Sequence, residues 1–119
     1  MKPAKVNWKN VREFLLARSE GYCEVSGRVL DPDAFDVHHR RNKGMGGTSR
    51  PDRDALWNLL AVDPATHNAA ARGTRSIHGS TTWSNPCGYL LWQTEDPADR
   101  EFLLHGREWV KIGPDGLYL

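Results

Sequence analysis

Apolar residues change their spacing several times along this chain, and each change marks a predicted element. Trp8, Val11, Phe14 and Leu15 recur at helical intervals, with Lys9, Arg12 and Glu13 on the opposite face. A helix is therefore expected, capped by Asn7 and stopped by Gly21. Tyr22 to Val29 has the look of a short knuckle or hairpin turning at Gly27, and Leu30 to Ala34 is a turn. Phe35 to His39 alternates as a strand does: Phe35, Val37 and His39 share one face, Asp36 and His38 the other.

Asn42 to Asp54 has no hydrophobic period and contains Gly44, Gly46, Gly47 and Pro51, which predicts a long loop. Apolar character returns over Ala55 to Val62, with a second strand near its end, broken by Asp63-Pro64. Pro64 is placed to open a helix running through Arg72 and closed by Gly73. The order is strand, loop, strand, helix. Gly73 to Ser80 is irregular, and Thr81 to Pro86 adds a short helical turn. Strands are expected at Gly88–Trp92, Phe102–Leu104 and Trp109–Ile112, the last two paired around His105-Gly106. A turn at Gly113–Gly116 precedes Leu117–Leu119. The fold class is α+β in one domain over residues 1–119. Its core is expected at about 21–80, with a small C-terminal β appendage at about 88–119.

Length and composition agree with that outline. The chain has 119 residues, is 39% hydrophobic and carries five Trp, enough for a modest core. Trp57, Trp83, Trp92 and Trp109 are read as packing residues, not as stacking surfaces for bases. Mean hydropathy of −0.64 leaves much of the surface wet. Nothing is apolar for long enough to span a membrane, and the charged start predicts no secretory leader, so a cytoplasmic protein is expected. Cys23 and Cys87 are far apart in sequence and are read as free thiols.

The net charge of +1 is uninformative, but its distribution is not. Arg40, Arg41, Lys43, Arg50 and Arg53 lie between positions 38 and 53 against Asp52 alone. A cationic cluster beside histidines suits a phosphate backbone, whose neutralisation releases counterions. The last 27 residues run the other way, with six acids against three bases.

The candidate chemistry sits in Asp36-Val37-His38-His39-Arg40-Arg41, answered by Asn58 and His67. Adjacent histidines on a straight strand cannot both ligate one ion, so one is expected to bind metal and the other to act as a base. Asp36 is a rival ligand. The Cys23-x-x-Ser26 knuckle has the spacing of a zinc knuckle but lacks its second thiolate, so no structural zinc is expected.

Val37-His38-His39-Arg40-Arg41, Gly44-Met45-Gly46-Gly47, Trp57-Asn58-Leu59-Leu60 and Thr66-His67-Asn68 together resemble the HNH endonuclease family. The likeness is greatest to its small versions in actinobacterial phages. The tail segment Leu103–Val110 resembles those proteins too, so the likeness covers about residues 21–112. It implies a ββα-metal (His-Me finger) core holding one divalent cation, whether Mg, Mn, Ni, Co or Zn. It implies His39 as general base, Asn58 as the residue that orients it, and His38 and His67 as ligands. Histidine titrates near neutrality, which suits a base. Arg40, Arg41, Lys43, Arg50 and Arg53 would contact DNA. Two departures stand out. The places of two Cys-x-x-Cys pairs hold Cys23, Ser26, Asp63 and Thr66. Where some relatives have a further histidine, four residues after the helix one, this chain has Ala71, and His78 is the candidate replacement. His105 is read as a satisfied core histidine.

The expected function is thus a metal-dependent DNA endonuclease or nickase, with phage terminase subunits as an extrapolated partner. The alternative is a nucleic-acid-binding module whose metal site is structural or vestigial. A more distant reading is a protein-interaction domain using the acidic tail.

Overall fold

The computed structural model describes residues 5–41, 52–68 and 75–119. Its elements are α1 (Trp8–Arg18), β1 (Asp36–His39), a 3-10 turn (Leu56–Asn58), β2 (Leu59–Val62), α2 (Pro64–His67), α3 (Thr81–Ser84), β3 (Phe102–Leu104) and β4 (Glu108–Val110). The fold is α+β, with two small antiparallel sheets, β1-β2 and β3-β4.

Helix α1 begins where Asn7 accepts the Asn10 N–H at 3.1 Å. It ends where Glu20 and Gly21 enter the left-handed region at φ 56 and 83°. Leu15 points inward and is fully buried against the sheet. In the β1-β2 pair, His38 faces Leu60 and His39 faces Leu59. All four β2 residues are buried, which is why that segment is an unbroken apolar run with no alternation.

Two buried arginines tie distant parts of the chain into one core. Arg18 pairs bidentately with Glu24, at 3.0 and 2.8 Å. It also donates to the carbonyls of Leu56, Leu59 and Gly116. Glu24 further accepts the Ala61 N–H and the Tyr118 hydroxyl. Arg40 is fully buried and donates to the carbonyls of Trp57, Gly88, Pro97, Arg100 and Glu101. A buried guanidinium needs such partners to remain charged.

Consequently the C-terminal segment is not an appendage. Phe102, Leu104, Val110 and Ile112 belong to the same buried cluster as Leu15, Phe35 and Leu60. The strand expected at Gly88–Trp92 is reduced to one parallel bridge, Leu91 to Arg41, because Arg40 and its neighbours claim the adjacent carbonyls. The β3-β4 hairpin turns through His105 and Gly106, both at positive φ.

The helix expected from Pro64 stops at His67, since Asn68 is extended at φ −129°, ψ 131°. The chain returns to cover its end: Ile77 N–H donates to Thr66 O at 2.8 Å and His78 N–H to His67 O at 3.4 Å. The rest of that expected helix, and the glycine-rich loop, lie outside the described residues. Among the described residues no helix is long and apolar enough to cross a membrane.

Candidate metal centre

Three histidines from three places in the chain converge. His38 comes from β1, His67 from the last turn of α2, and His78 from the returning segment. One ring nitrogen of each lies within 4.8 Å of the others, close enough to hold a metal ion. The Nε2 atoms of His67 and His78 are 3.0 Å apart. Nitrogens sharing one ion at about 2.0–2.1 Å each sit roughly 3.0–3.4 Å from one another, so this pair is already spaced for a common ion.

Protonation states follow from the partners. His38 Nε2 lies 2.6 Å from the Tyr89 carbonyl, which can only accept, so Nε2 carries the proton. Its Nδ1 lone pair is then free to ligate. Burial pulls the His38 pKa down to about 3, against the opposing pull of that carbonyl, and the neighbouring histidines lower it further. The ring is therefore neutral at pH 7, as a ligand must be. Burial, then His67, likewise lowers His78.

His67 Nδ1 donates to the Asp36 carboxylate at 2.9 Å and leaves Nε2 for an ion. Asp36, the rival ligand on sequence grounds, thus sits behind His67 and orients it. Such outer carboxylates fix the tautomer and raise ligand basicity. Strand alternation explains the arrangement: Asp36 and His38 emerge on one face of β1 and meet α2 there. Three imidazoles, two of them held by acceptors on their outer nitrogen, fit a divalent ion of intermediate softness.

His39 points the other way. Its ring meets the edge of Trp8 at 5.9 Å, and Nε2 lies 2.7 Å from Asp54 Oδ1. The carboxylate accepts, so Nε2 carries a proton, and in the neutral ring the lone pair is on Nδ1. Arg53 Nη1 lies 3.5 Å from the same Asp54 oxygen. The acid bonded to His39 is Asp54, which sequence reasoning missed. A loop carboxylate without period or motif carries no such signal.

Among the described residues, Asn58 makes its side-chain hydrogen bonds elsewhere than to the His39 ring. Fully buried, its side chain accepts from Arg41 N–H and donates to the carbonyls of Arg41 and Arg53. It clamps the two ends of the loop, and through them the segments carrying His39 and Asp54.

The cationic residues divide. Arg40 is internal, so its assignment to DNA contact is corrected: all its donors point at carbonyls. Burial lowers its pKa to about 9, which leaves it charged at neutrality. Arg41 is also buried, pairing with Asp52 at 2.6 Å and donating to Glu95 O, and is likewise withdrawn from a DNA surface. Arg53 keeps 38% of its side chain exposed. Lys43 and Arg50 lie outside the described residues.

The knuckle positions meet as well. Cys23 Sγ accepts the N–H groups of Ser26 and Asp63 at 3.3 and 3.4 Å. Asp63 Oδ1 accepts the hydroxyls of Ser26 and Thr66, each at 2.8 Å. A hydrogen-bonded cross-link joins the two loops at this point.

His105 also departs from its sequence reading. Its Nε2 is buried and bonds to nothing among the described residues, so it is not a satisfied core histidine.

No protein-family model matches the chain, and no solved structure matches it.

Proposed function

We propose that the chain is a metal-dependent DNA endonuclease or nickase of the ββα-metal, HNH kind. In this reading His38, His67 and His78 hold one divalent cation and His39 is the general base. The observation that carries the reading is the division of labour along β1. His38 joins two other imidazoles on one face, while its neighbour His39 is held through Nε2 by Asp54 on the other.

A bound divalent cation would supply Lewis acidity and positive charge to a phosphodiester. His39 Nδ1 takes a proton from water as its oxygen bonds to phosphorus. One phosphorus–oxygen ester bond breaks, the leaving oxygen takes a proton from solvent to become an alcohol, and a phosphate monoester remains. His39 returns its proton to solvent. Asp54 holds the ring in the tautomer this requires and faces the imidazolium that forms. Asn58 keeps both ends of the loop in register. Arg53, and Lys43 and Arg50 in the loop, are the cations assigned to the DNA backbone. A phage origin and a terminase partner extend the same reading.

A second reading has one observation in its favour. The three ligands staple β1, α2 and the segment after it, as a structural ion would, and His38 is only 1% exposed. The chain would then bind nucleic acid without cutting it. Supercoiled plasmid incubated with the protein and EDTA, Mg, Mn, Ni, Co or Zn separates the two. Endonuclease activity predicts ion-dependent nicking that disappears in His39→Ala while the melting curve is retained. Duplex binding without cleavage under every ion would leave the binding module as the answer.

A further inference from the structure

Beside the metal centre, and separate from its three ligands, lies an open cleft of about 500 Å³. It is bounded by the Cys23–Gly27 knuckle, by α2 and by the β3-β4 turn. Two guanidinium groups line it, Arg28 and Arg75, and neither is paired with an acid among the described residues. The Arg75 guanidinium carbon lies 4.6 Å over the Trp83 ring, which holds it against the wall. Asp63, behind the lining residues Ser26 and Thr66, already engages both hydroxyls.

The third polar group is His105, forced by the hairpin into the left-handed region at φ 55°. Its Nε2 is buried without a partner among the described residues. A buried ring nitrogen in that condition is destabilising unless something else satisfies it. The rest of the lining is mixed, with Val25, Trp83 and Leu103 supplying apolar wall beside Ser26, Thr66 and Tyr89. Clefts that hold small organic ligands span about 300–1,000 Å³, mostly apolar with a few convergent polar groups. This one has that size and make-up, and its charge is positive.

We propose that the cleft binds a small phosphate monoester of nucleotide size. Arg28 and Arg75 grip the phosphate, His105 Nε2 donates to one of its oxygens, and the organic part lies against Val25, Trp83 and Leu103. Arginine pairs suit phosphate because their forked donors match its oxygens. Nothing in this requires the metal centre or the proposed cleavage reaction. A free nucleotide and the phosphorylated end of a strand carry the same chemistry.

The test is titration of the full chain in EDTA, followed by NMR of the His105 ring and the arginine side chains. The probes are deoxyadenosine monophosphate, deoxyadenosine, and a short oligonucleotide with and without a terminal phosphate. Saturable shifts are expected at His105 and Arg75 with deoxyadenosine monophosphate and not with deoxyadenosine. The two oligonucleotides decide whether a strand end also enters. Arg28→Gln and Arg75→Gln should each weaken binding at least about tenfold, the loss of one charge-assisted bond to phosphate. Both residues are exposed, so melting should be unchanged. His105→Asn retains a residue that tolerates positive φ and should weaken binding similarly. Equal binding of deoxyadenosine, unchanged affinity in all three variants, or no saturable shift would overturn the proposal.

Discussion

Asp36→Asn offers the sharpest test of the histidine cluster, because it alters ion affinity through a residue that does not ligate. The Asp36 carboxylate accepts the His67 Nδ1–H at 2.9 Å. Asparagine can still accept that bond through its carbonyl, so ring orientation survives while the negative charge behind the ring is lost. Removing such a partner typically costs 10–100-fold in metal affinity. Asp36 is 37% exposed at its side chain, and solvent screening places the effect at the low end, about tenfold or roughly 1.4 kcal/mol. Fold stability without metal should barely move, since exposed pairs contribute about 0–1 kcal/mol. The difference should therefore emerge only when an ion is added. At an ion concentration near 100 times the wild-type Kd, binding stabilises the wild type by about 2.7 kcal/mol and the variant by about 1.4 kcal/mol. Calorimetric titration with Ni or Zn against a competing chelator, with melting curves in EDTA and in metal, measures both quantities. Identical metal-induced stabilisation in the two proteins would refute the role given to Asp36. If His67→Ala also kept full affinity, the convergence of the three rings would have nothing to do with metal.

Other outcomes follow from the same contacts. Asn58→Ala leaves the buried Arg41 N–H without its acceptor and should lower the free energy of unfolding by about 2–3 kcal/mol in urea melts; a change under half a kcal/mol would show that the loop does not depend on the clamp. Arg40→Met should destabilise by about 3–5 kcal/mol, stranding five carbonyls, whereas a DNA-contact residue would leave stability alone and reduce the salt dependence of binding. Asp63 should make stability pH-dependent. Burial pushes its pKa up, but bonds from Ser26, Cys23 and Thr66 outweigh this and leave it below 3.8. Its contribution is present above that value and lost as pH falls through the lower folded value. Asp63→Asn should therefore flatten the fall in unfolding free energy on the acid side of about pH 4 relative to wild type; parallel profiles would contradict this. Asp54→Asn should reduce plasmid nicking, if nicking is found, while leaving calorimetric metal affinity unchanged, because Asp54 touches only the His39 side of β1.

How much of this was legible depended on whether a residue's role is local. Strand alternation placed Asp36 and His38 together, and the apolar run after Ala55 announced a strand. The same alternation, carried two residues further, puts Arg40 on the face of His38 and hence inside. Counting its charge as surface charge overlooked that signal. The Tyr89 carbonyl that fixes the His38 tautomer could not be read at all, since any residue offers a carbonyl and only the fold chooses which one. His78 needed its distance from His67 closed by the bonds from Ile77 and His78 to the end of α2, a tertiary event that no local pattern announces.

That early end has a consequence for the centre itself. Had α2 continued past Asn68, the carbonyls of Thr66 and His67 would have been taken within the helix, and Ile77 and His78 would have had nothing to pair with. The third histidine of the cluster is therefore delivered by helix termination, and a residue that favours continued helix at Asn68 competes directly with the cluster. Asn68→Ala removes a side chain that favours leaving the helix and restores about half a kcal/mol of propensity. It should weaken metal affinity without lowering metal-free stability. Calorimetry showing unchanged affinity in Asn68→Ala would mean that the return of the chain, and not the helix end, positions His78.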